Sequence, residues 1–450
     1  MKCILKIFLI LFVLSSCTKQ EPISQPINLN NLIVTSKSVI PVEDALRNLQ
    51  TLLDGMYPST KGNYKDLSTA NVCVFGGKTM KSTSVTVPDS TLYLVNFGDD
   101  DGFAVLSAQR GFSFPVFCVT ESGSLTIDDL DEALQFLEES ACVQTRSADE
   151  YDSLFYGMGE EFVPRLIMSA VLSQLSMSRG GNGSDLDTAV TLPDDGGFPV
   201  RPRDSLIVPE PRNDTITKAG PFLETKWTQG SPFNDFRADG APAGCVAIAT
   251  AQILAHKEIN LSGTHFNWDL LKSVYHYTDP NATPGLLARK EASYFLQFVG
   301  LPQNCNIIYD TDGSSGWADG ARRTFSNCGY HNTEKRFGFQ EADRGKVVEM
   351  LTQGYPVYMD GSKSLLDGAK GHAWVIDGLL VYKYIFYTAT LYNLFHINWG
   401  WNGTNDGYFE QGVFDITNRH SIETGFDSGA NSTQSSNYTW NYRIITYSLY

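Results

Sequence analysis

One cysteine in this chain stands where a thiol can become a nucleophile. Gly240-Ala-Pro-Ala-Gly244 leads into Cys245, and Val246-Ala-Ile-Ala-Thr-Ala-Gln-Ile-Leu-Ala255 follows, a run of helix formers that begins abruptly after a Gly/Pro loop. Cys245 is therefore expected in the first turn of a helix, where unpaired N–H groups and the positive end of the dipole favour thiolate over thiol. A buried structural cysteine is the other reading of the same feature. Such a nucleophile needs a base. His256 is excluded, because it lies on the same helix, roughly 16 Å along it at about 1.5 Å per residue. His372, in Gly371-His-Ala-Trp-Val-Ile-Asp-Gly378, opens a β-rich run entered through glycine, and His396, in Leu394-Phe-His-Ile-Asn-Trp399, lies on a second run. Asn398 falls on the same face as His396. An amide that orients an imidazole beneath an aromatic cover is what Asn398 and Trp399 together offer. Pattern alone leaves both histidines open.

Three blocks, Gly244-Cys-Val-Ala-Ile-Ala-Thr-Ala-Gln-Ile253, Gly371-His-Ala-Trp-Val-Ile-Asp-Gly378 and Phe395-His-Ile-Asn-Trp-Gly-Trp-Asn-Gly403, resemble in this order the signature of the streptopain family of papain-like cysteine peptidases. The resemblance implies that Cys245 is the nucleophile, His372 the base and acid, Asn398 the orienting amide and Trp399 its cover, leaving His396 as a structural strand residue. Thr225-Lys-Trp-Thr-Gln-Gly-Ser-Pro-Phe-Asn234 resembles the block near the start of the family's mature enzyme. It implies that Gln229 donates to the oxyanion beside the backbone N–H of Cys245. The implied fold is α+β: a papain-like two-lobed catalytic domain, its helical lobe carrying the nucleophile and its antiparallel β lobe carrying His and Asn, preceded by an α+β propeptide. Protein or peptide substrates and the chain's own propeptide are the implied partners, and no cofactor is implied. Two departures from the family pattern, a short stretch between Gln229 and Cys245 and a long hairpin between Asp377 and Phe395 rich in Tyr382, Tyr384, Phe386, Tyr387 and Tyr392, bear on substrate choice. Rival readings fit less well. A Cys-His acyl transferase of the transglutaminase or peptidoglycan amidase type typically carries an acidic or histidine third member where Asn398 stands. An inactive surface-binding lipoprotein has no reason to keep Cys, His, Asn and Gln together.

The elements that must position these residues follow from periodicity. Ile40-Pro-Val-Glu-Asp44 opens a helical pattern with Leu46, Leu49 and Leu53 on one face. Thr91–Phe97 and Gly102–Ser107 are β-rich runs joined by a short acidic turn, Phe114–Val119 is a third strand, and Leu130, Ala133, Leu134 and Leu137 recur at helical spacing after Thr126. From Ser178 to Gly220, Gly, Pro and Asp displace periodic apolar positions, and Arg201, Arg203, Arg212 and Lys218 make the stretch cleavable. All 7 tryptophans and all 7 histidines lie beyond it, so the chemistry belongs to the second half. The expected organisation is a signal peptide at 1–16, a tether at 17–32, a propeptide domain at 33–145, a linker with the activation cleavage region at 146–220, and the peptidase domain at 221–450.

Lys2 and Lys6 border Ile7–Leu14, an apolar run too short to span a bilayer and suited to the hydrophobic region of a signal peptide. Leu14-Ser-Ser-Cys17 resembles the bacterial lipobox, which implies acylation of Cys17. The chain is then exported and held by lipid at the cell envelope, on the outer membrane or cell surface, and cleavage in the linker would release the catalytic part. Composition agrees with a folded chain, since 42% of its 450 residues are hydrophobic and 19% charged. Its 34 basic against 50 acidic residues give a net charge of −16, which repels phosphate backbones and excludes nucleic acid as a partner. The 8 cysteines include no C-x-x-C pair, and Cys328-Gly-Tyr-His331 has no second half, so neither a metal site nor a disulfide scaffold is expected.

Overall fold

The computed structural model describes residues 38–57, 65–79, 86–98, 100–142, 161–180, 212–259, 264–274, 285–362, 371–385, 389–414 and 441–449. The signal segment, Cys17 and the tether lie outside them. All described residues belong to one unit, Val34–Tyr450. Helix α1 (Val42–Met56) starts after Pro41, whose fixed φ suits a helix entrance, and buries Leu49, Leu52, Leu53 and Met56. Strands β1 (Asn71–Phe75), β4 (Leu92–Asn96), β5 (Phe103–Ser107) and β6 (Val116–Thr120) form an antiparallel meander, while β2 (Lys78–Thr79) and β3 (Thr86–Val87) pair apart from it. Helix α2 (Ile127–Cys142) is entered through Thr126 and Asp129, each of whose side chains accepts the other's backbone N–H. Of these, α1, β4, β5, β6 and α2 fall where alternation and helical spacing place them, whereas β1, β2 and β3 are not among the expected elements.

Residues 146–220, expected as linker, are not linker throughout. Phe162–Gly180 is a helix, α3, that buries Phe162, Val163, Leu166, Ile167, Met168 and Val171 and packs on α2. Pro164 sits in its first turn, where a missing N–H costs nothing. At the far end, Arg212–Ala219 is strand β7, hydrogen-bonded in the main sheet. Residues 146–160 and 181–211 remain of the expected linker and lie outside the described residues.

Helices α4 (Cys245–Lys257), α5 (Trp268–Ser273), α6 (Leu286–Gly300) and α7 (Ala318–Asn327) pack together. Strand β8 (His331–Phe337), helix α8 (Glu341–Thr352) and strands β9 (Val357–Ser362), β10 (Gly371–Ile385), β11 (Ala389–Asn398), β12 (Gly407–Glu410) and β13 (Asn441–Ser448) complete the chain. The α+β class is as expected, with Cys245 opening a helix and His372 and Asn398 on antiparallel strands. The main sheet has 11 strands in the order β1-β4-β5-β6-β12-β11-β10-β9-β13-β8, with β7 also on β10. It runs unbroken from the first half of the chain into the second, because Thr120, Val119 and Cys118 of β6 pair with Gly407, Tyr408 and Phe409 of β12.

Strand β10 is the pivot of this sheet. Up to Ile376 its outer edge pairs with β9, and from Leu379 onward with β7, the change falling at a bulge next to Asp377. The long hairpin expected to bear on substrate choice has a different use in its described part. Leu380, Tyr382 and Leu394, with Tyr408, share a core with Leu49, Leu52 and Leu53 of α1 and Val95, Leu106 and Val119 of the meander. Truncating Leu52, fully buried in this shared core, to alanine should cost about 2–5 kcal/mol and lower one cooperative transition of the whole chain. Calorimetry showing a separate early melt, with the main transition unmoved, would contradict the shared core.

Candidate active site

Cys245 is the first residue of α4. Gly244 before it has φ +91°, a left-handed conformation that favours glycine and turns the loop directly into the helix. Every residue from Val246 to Ala255 is buried, so the helix is wrapped on all sides. Cys245 opens on a narrow cleft of about 30 Å³ shared with Ser314, Gly316, Asp360, His372, Ala373 and Arg443. A larger cavity of about 450 Å³ lies between α2, α3 and the Thr404–Asn405 turn and contains none of the expected catalytic residues. His372, second residue of β10, pairs with Gly361 of β9 and reaches the cleft from the sheet side. His396 does not. It is buried elsewhere, its Nδ1 2.6 Å from Asp377 Oδ1, with Glu121 3.4 Å from Nε2 at ion-pair rather than hydrogen-bond geometry. Of the two histidines that pattern leaves open, the structure places His372 with the thiol.

The ring of His372 is oriented by backbone. Its Nε2 lies 2.8 Å from the carbonyl oxygen of Trp399. A carbonyl only accepts, so Nε2 carries the proton and Nδ1 is left for the thiol. Among the described residues no hydrogen bond joins Cys245 to His372. Asn398, expected to orient the ring, makes no hydrogen bond to it among the described residues. Its Oδ1 accepts from Gln252 Nε2 at 2.9 Å and from the Gly400 N–H at 3.1 Å, and its Nδ2 donates to the Thr225 carbonyl at 2.8 Å. The Gly400 N–H and the Trp399 C=O belong to one peptide group, so Asn398 fixes the plane of the acceptor instead of acting as the acceptor. Trp399 is fully buried; its N–H donates to Asp406 Oδ1 at 2.9 Å and its indole N–H to the Asn405 carbonyl at 3.0 Å. The cover over His372 is shared: Trp401 stacks 4.7 Å from the imidazole at 23°, nearer than Trp399 at 6.5 Å. Gln229 does not line the cleft, but its carbonyl accepts from the Ala243 N–H at 2.9 Å and ties its loop to the one entering Cys245.

Residues 227–409 match the peptidase C10 family and span Gln229, Cys245, His372, Asn398 and Trp399. This stretch is a peptidase C10 domain. Over 242 residues the chain is 27% identical to streptopain of Streptococcus pyogenes, covering 45% of this chain and 56% of that protein. It is 26% identical over 269 residues to the thiol protease/hemagglutinin PrtT of Porphyromonas gingivalis, covering 52% of this chain and 29% of the other. The chain thus spans little more than half of the first relative's length and less of the second's. Among solved structures, a fragment of Prevotella intermedia prointerpain A aligns over 84% of this chain and 98% of its own, with a TM-score of 0.47 and 16% identity.

The sequence reading singles out neither Trp401, Gln252 nor Phe162. The Trp-Gly-Trp spacing in the third block is a signal for Trp401. Phe162 has none, since it comes from α3, outside the C10 domain, yet its ring lies 5.2 Å from Trp399 and 6.1 Å from His372. Burial dominates the electrostatics of this site. It pushes the Cys245 thiol up to about 11, against a backbone hydrogen bond from Ala373 and with Asp360 adding to the rise. It pulls His372 down to about 4, against the bond to Trp399. Burial thus works against the thiolate expected at a helix start. Asp360 is held by Arg443 Nε at 2.5 Å and by the Tyr358 hydroxyl at 2.9 Å.

The other candidate histidine, His396, behaves oppositely. Burial works against the charge of His396, but Asp377 and Glu121 prevail and push it up to about 10. Burial opposes the Glu121 charge too, and His396 and Lys226 hold that carboxylate down at about 2. Raised above its ordinary value of about 6.5, His396 contributes stability that is full below that pH and lost as pH rises through about 10. Unfolding by denaturant across this window should show stability falling with pH, and falling less steeply in Glu121→Gln. Equal slopes in the two proteins would dismiss the ion pair as a contributor.

Proposed function

We propose that this chain is the precursor of a cysteine endopeptidase that cuts peptide bonds with Cys245. The observation carrying the reading is the convergence of a helix-start thiol and a backbone-oriented imidazole on one cleft. The Cys245 thiol passes its proton to His372 Nδ1, and the thiolate adds to the substrate carbonyl. The resulting oxyanion takes the backbone N–H of Cys245, joined by the Gln229 amide once the loop tied to Ala243 brings it into the cleft, which it does not line in the described state. As the imidazolium forms, the Trp399 carbonyl accepts its Nε2–H. His372 then gives its proton to the leaving amine as the C–N bond breaks, and takes one from the water that hydrolyses the thioester. That streptopain and PrtT are related proteins, the latter named as a thiol protease, supports the reading.

The described state fits a resting precursor. Thiol and imidazole are both uncharged near neutral pH, and Phe162 of α3 lies against the aromatic cover. Departure of the first half would hydrate the cleft, lowering the thiol and raising the imidazole toward a charged pair. Because α3 is packed and β7 is hydrogen-bonded to β10, cutting is assigned to 181–211, which includes Arg201 and Arg203. Export and acylation of Cys17 complete the proposal, supported by the Leu14-Ser-Ser-Cys17 motif.

With casein as substrate, Cys245→Ala should abolish hydrolysis, and His372→Ala should lower kcat by about 10²–10⁴-fold. His396→Ala should lower Tm while leaving kcat of the processed enzyme nearly unchanged. Hydrolysis persisting in Cys245→Ala would sink the assignment, and loss of catalysis at His396 with activity kept at His372→Ala would show that the wrong strand carries the base. Mass spectrometry of bound and released forms should find an acylated N-terminus at Cys17 in the first and an N-terminus within 181–211 in the second. A released form beginning after Gln229 would remove the oxyanion donor and contradict the mechanism.

A further inference from the structure

We infer that Gln252 is a positioning residue that holds three catalytic segments in register; the inference rests on the cysteine-peptidase reading. Gln252 lies two turns along α4 from Cys245, about 10 Å at 1.5 Å per residue. It is fully buried, within a helix otherwise lined by apolar side chains and Thr250. A buried amide in such surroundings is costly unless paired, and this one is paired on both sides. Its Oε1 accepts from Thr225 Oγ1 at 3.0 Å and from the Trp227 N–H at 3.2 Å, and its Nε2 donates to Asn398 Oδ1 at 2.9 Å.

Each bond leads to a different part of the reaction. Through Asn398 it reaches the Gly400 N–H, hence the Trp399–Gly400 peptide whose carbonyl orients His372. Through Thr225 and Trp227 it reaches the segment that runs on to Gln229. Asn398 Nδ2 closes the circuit by donating to the Thr225 carbonyl. One side chain on the nucleophile's own helix therefore sets the spacing between thiol, imidazole acceptor and oxyanion segment. An apolar residue of equal length would fill the space and lose the register.

Two variants separate positioning from packing. Gln252→Met keeps length and removes every hydrogen bond. Gln252→Glu keeps the acceptor for Thr225 and Trp227 and, when ionised, loses the donor to Asn398; protonation restores that donor. In the processed enzyme Gln252→Met should lower kcat by about 10–100-fold, as expected of a displacement of about 1 Å, with KM changed less than about 3-fold. Gln252→Glu should be similarly impaired at pH 8 and recover toward the parent enzyme at pH 5, a pH profile that simple loss of packing would not produce. The rate of Cys245 alkylation by iodoacetamide, read from the mass of its own peptide, should follow the same pattern with no peptide substrate present. Alkylation that tracks Gln252 in a protein without thiol-dependent proteolysis would fault the peptidase reading and leave the positioning role standing. A folded Gln252→Met with parental kcat and alkylation rate would overturn the role. Should the Met variant fail to fold, a Gln252→Glu profile parallel to the parent from pH 5 to 8 would overturn it equally.

Discussion

The peptide group between Trp399 and Gly400 is the part on which the rest of the site depends. Its carbonyl fixes the tautomer of His372, and its N–H is taken by Asn398. A side-chain acceptor rotates about its own bonds, whereas a backbone acceptor is only as steady as the loop that holds it. Here the loop is held at several points. Asp406 takes the Trp399 N–H and the Asn405 carbonyl takes the indole N–H. Gly400 sits at φ +74° with Ile248 of α4 so close that an added Cβ would lie 3.1 Å from its methyl carbon. The helix that starts with Cys245 therefore abuts the turn that orients His372.

The shared sheet and shared core give the first half of the chain a direct hold on the second. Glu121, just past β6, donates its N–H to the Asp406 carbonyl and places its carboxylate near His396 and Lys226. Asp406 in turn holds Trp399, so the interface continues by hydrogen bonds to the His372 imidazole. Phe162 adds an apolar contact to the same aromatic cluster. Burial in this packing disfavours the charged form of both Cys245 and His372.

What was legible in the sequence was local. The change from a Gly/Pro loop to helix formers marks Cys245, and alternation marks the meander. Helix α3 escaped because its apolar residues surround the helix instead of forming a stripe, next to a Gly- and Pro-rich stretch that dominates the composition. The choice between His372 and His396 is not contained in periodicity, since both are buried strand residues; it shows only in their partners, the Trp399 carbonyl for one and Asp377 for the other. Asn398 shows a further limit. Strand alternation states which face a side chain takes, but not that its partners would be Gln252 and a neighbouring peptide. The pairing of β6 with β12 joins residues far apart in the chain, and neither strand announces its neighbour.

That pairing carries a consequence for solubility. While β6 is in place, β12 is an interior strand; once β6 is gone, the backbone groups it engaged along Gly407–Phe409 become an edge. Open edges of this kind recruit other strands and promote association. Were the chain cut, separation of its halves would be a further event with its own hazard, and a separated C10 domain would have to cover this edge or pair it with something else.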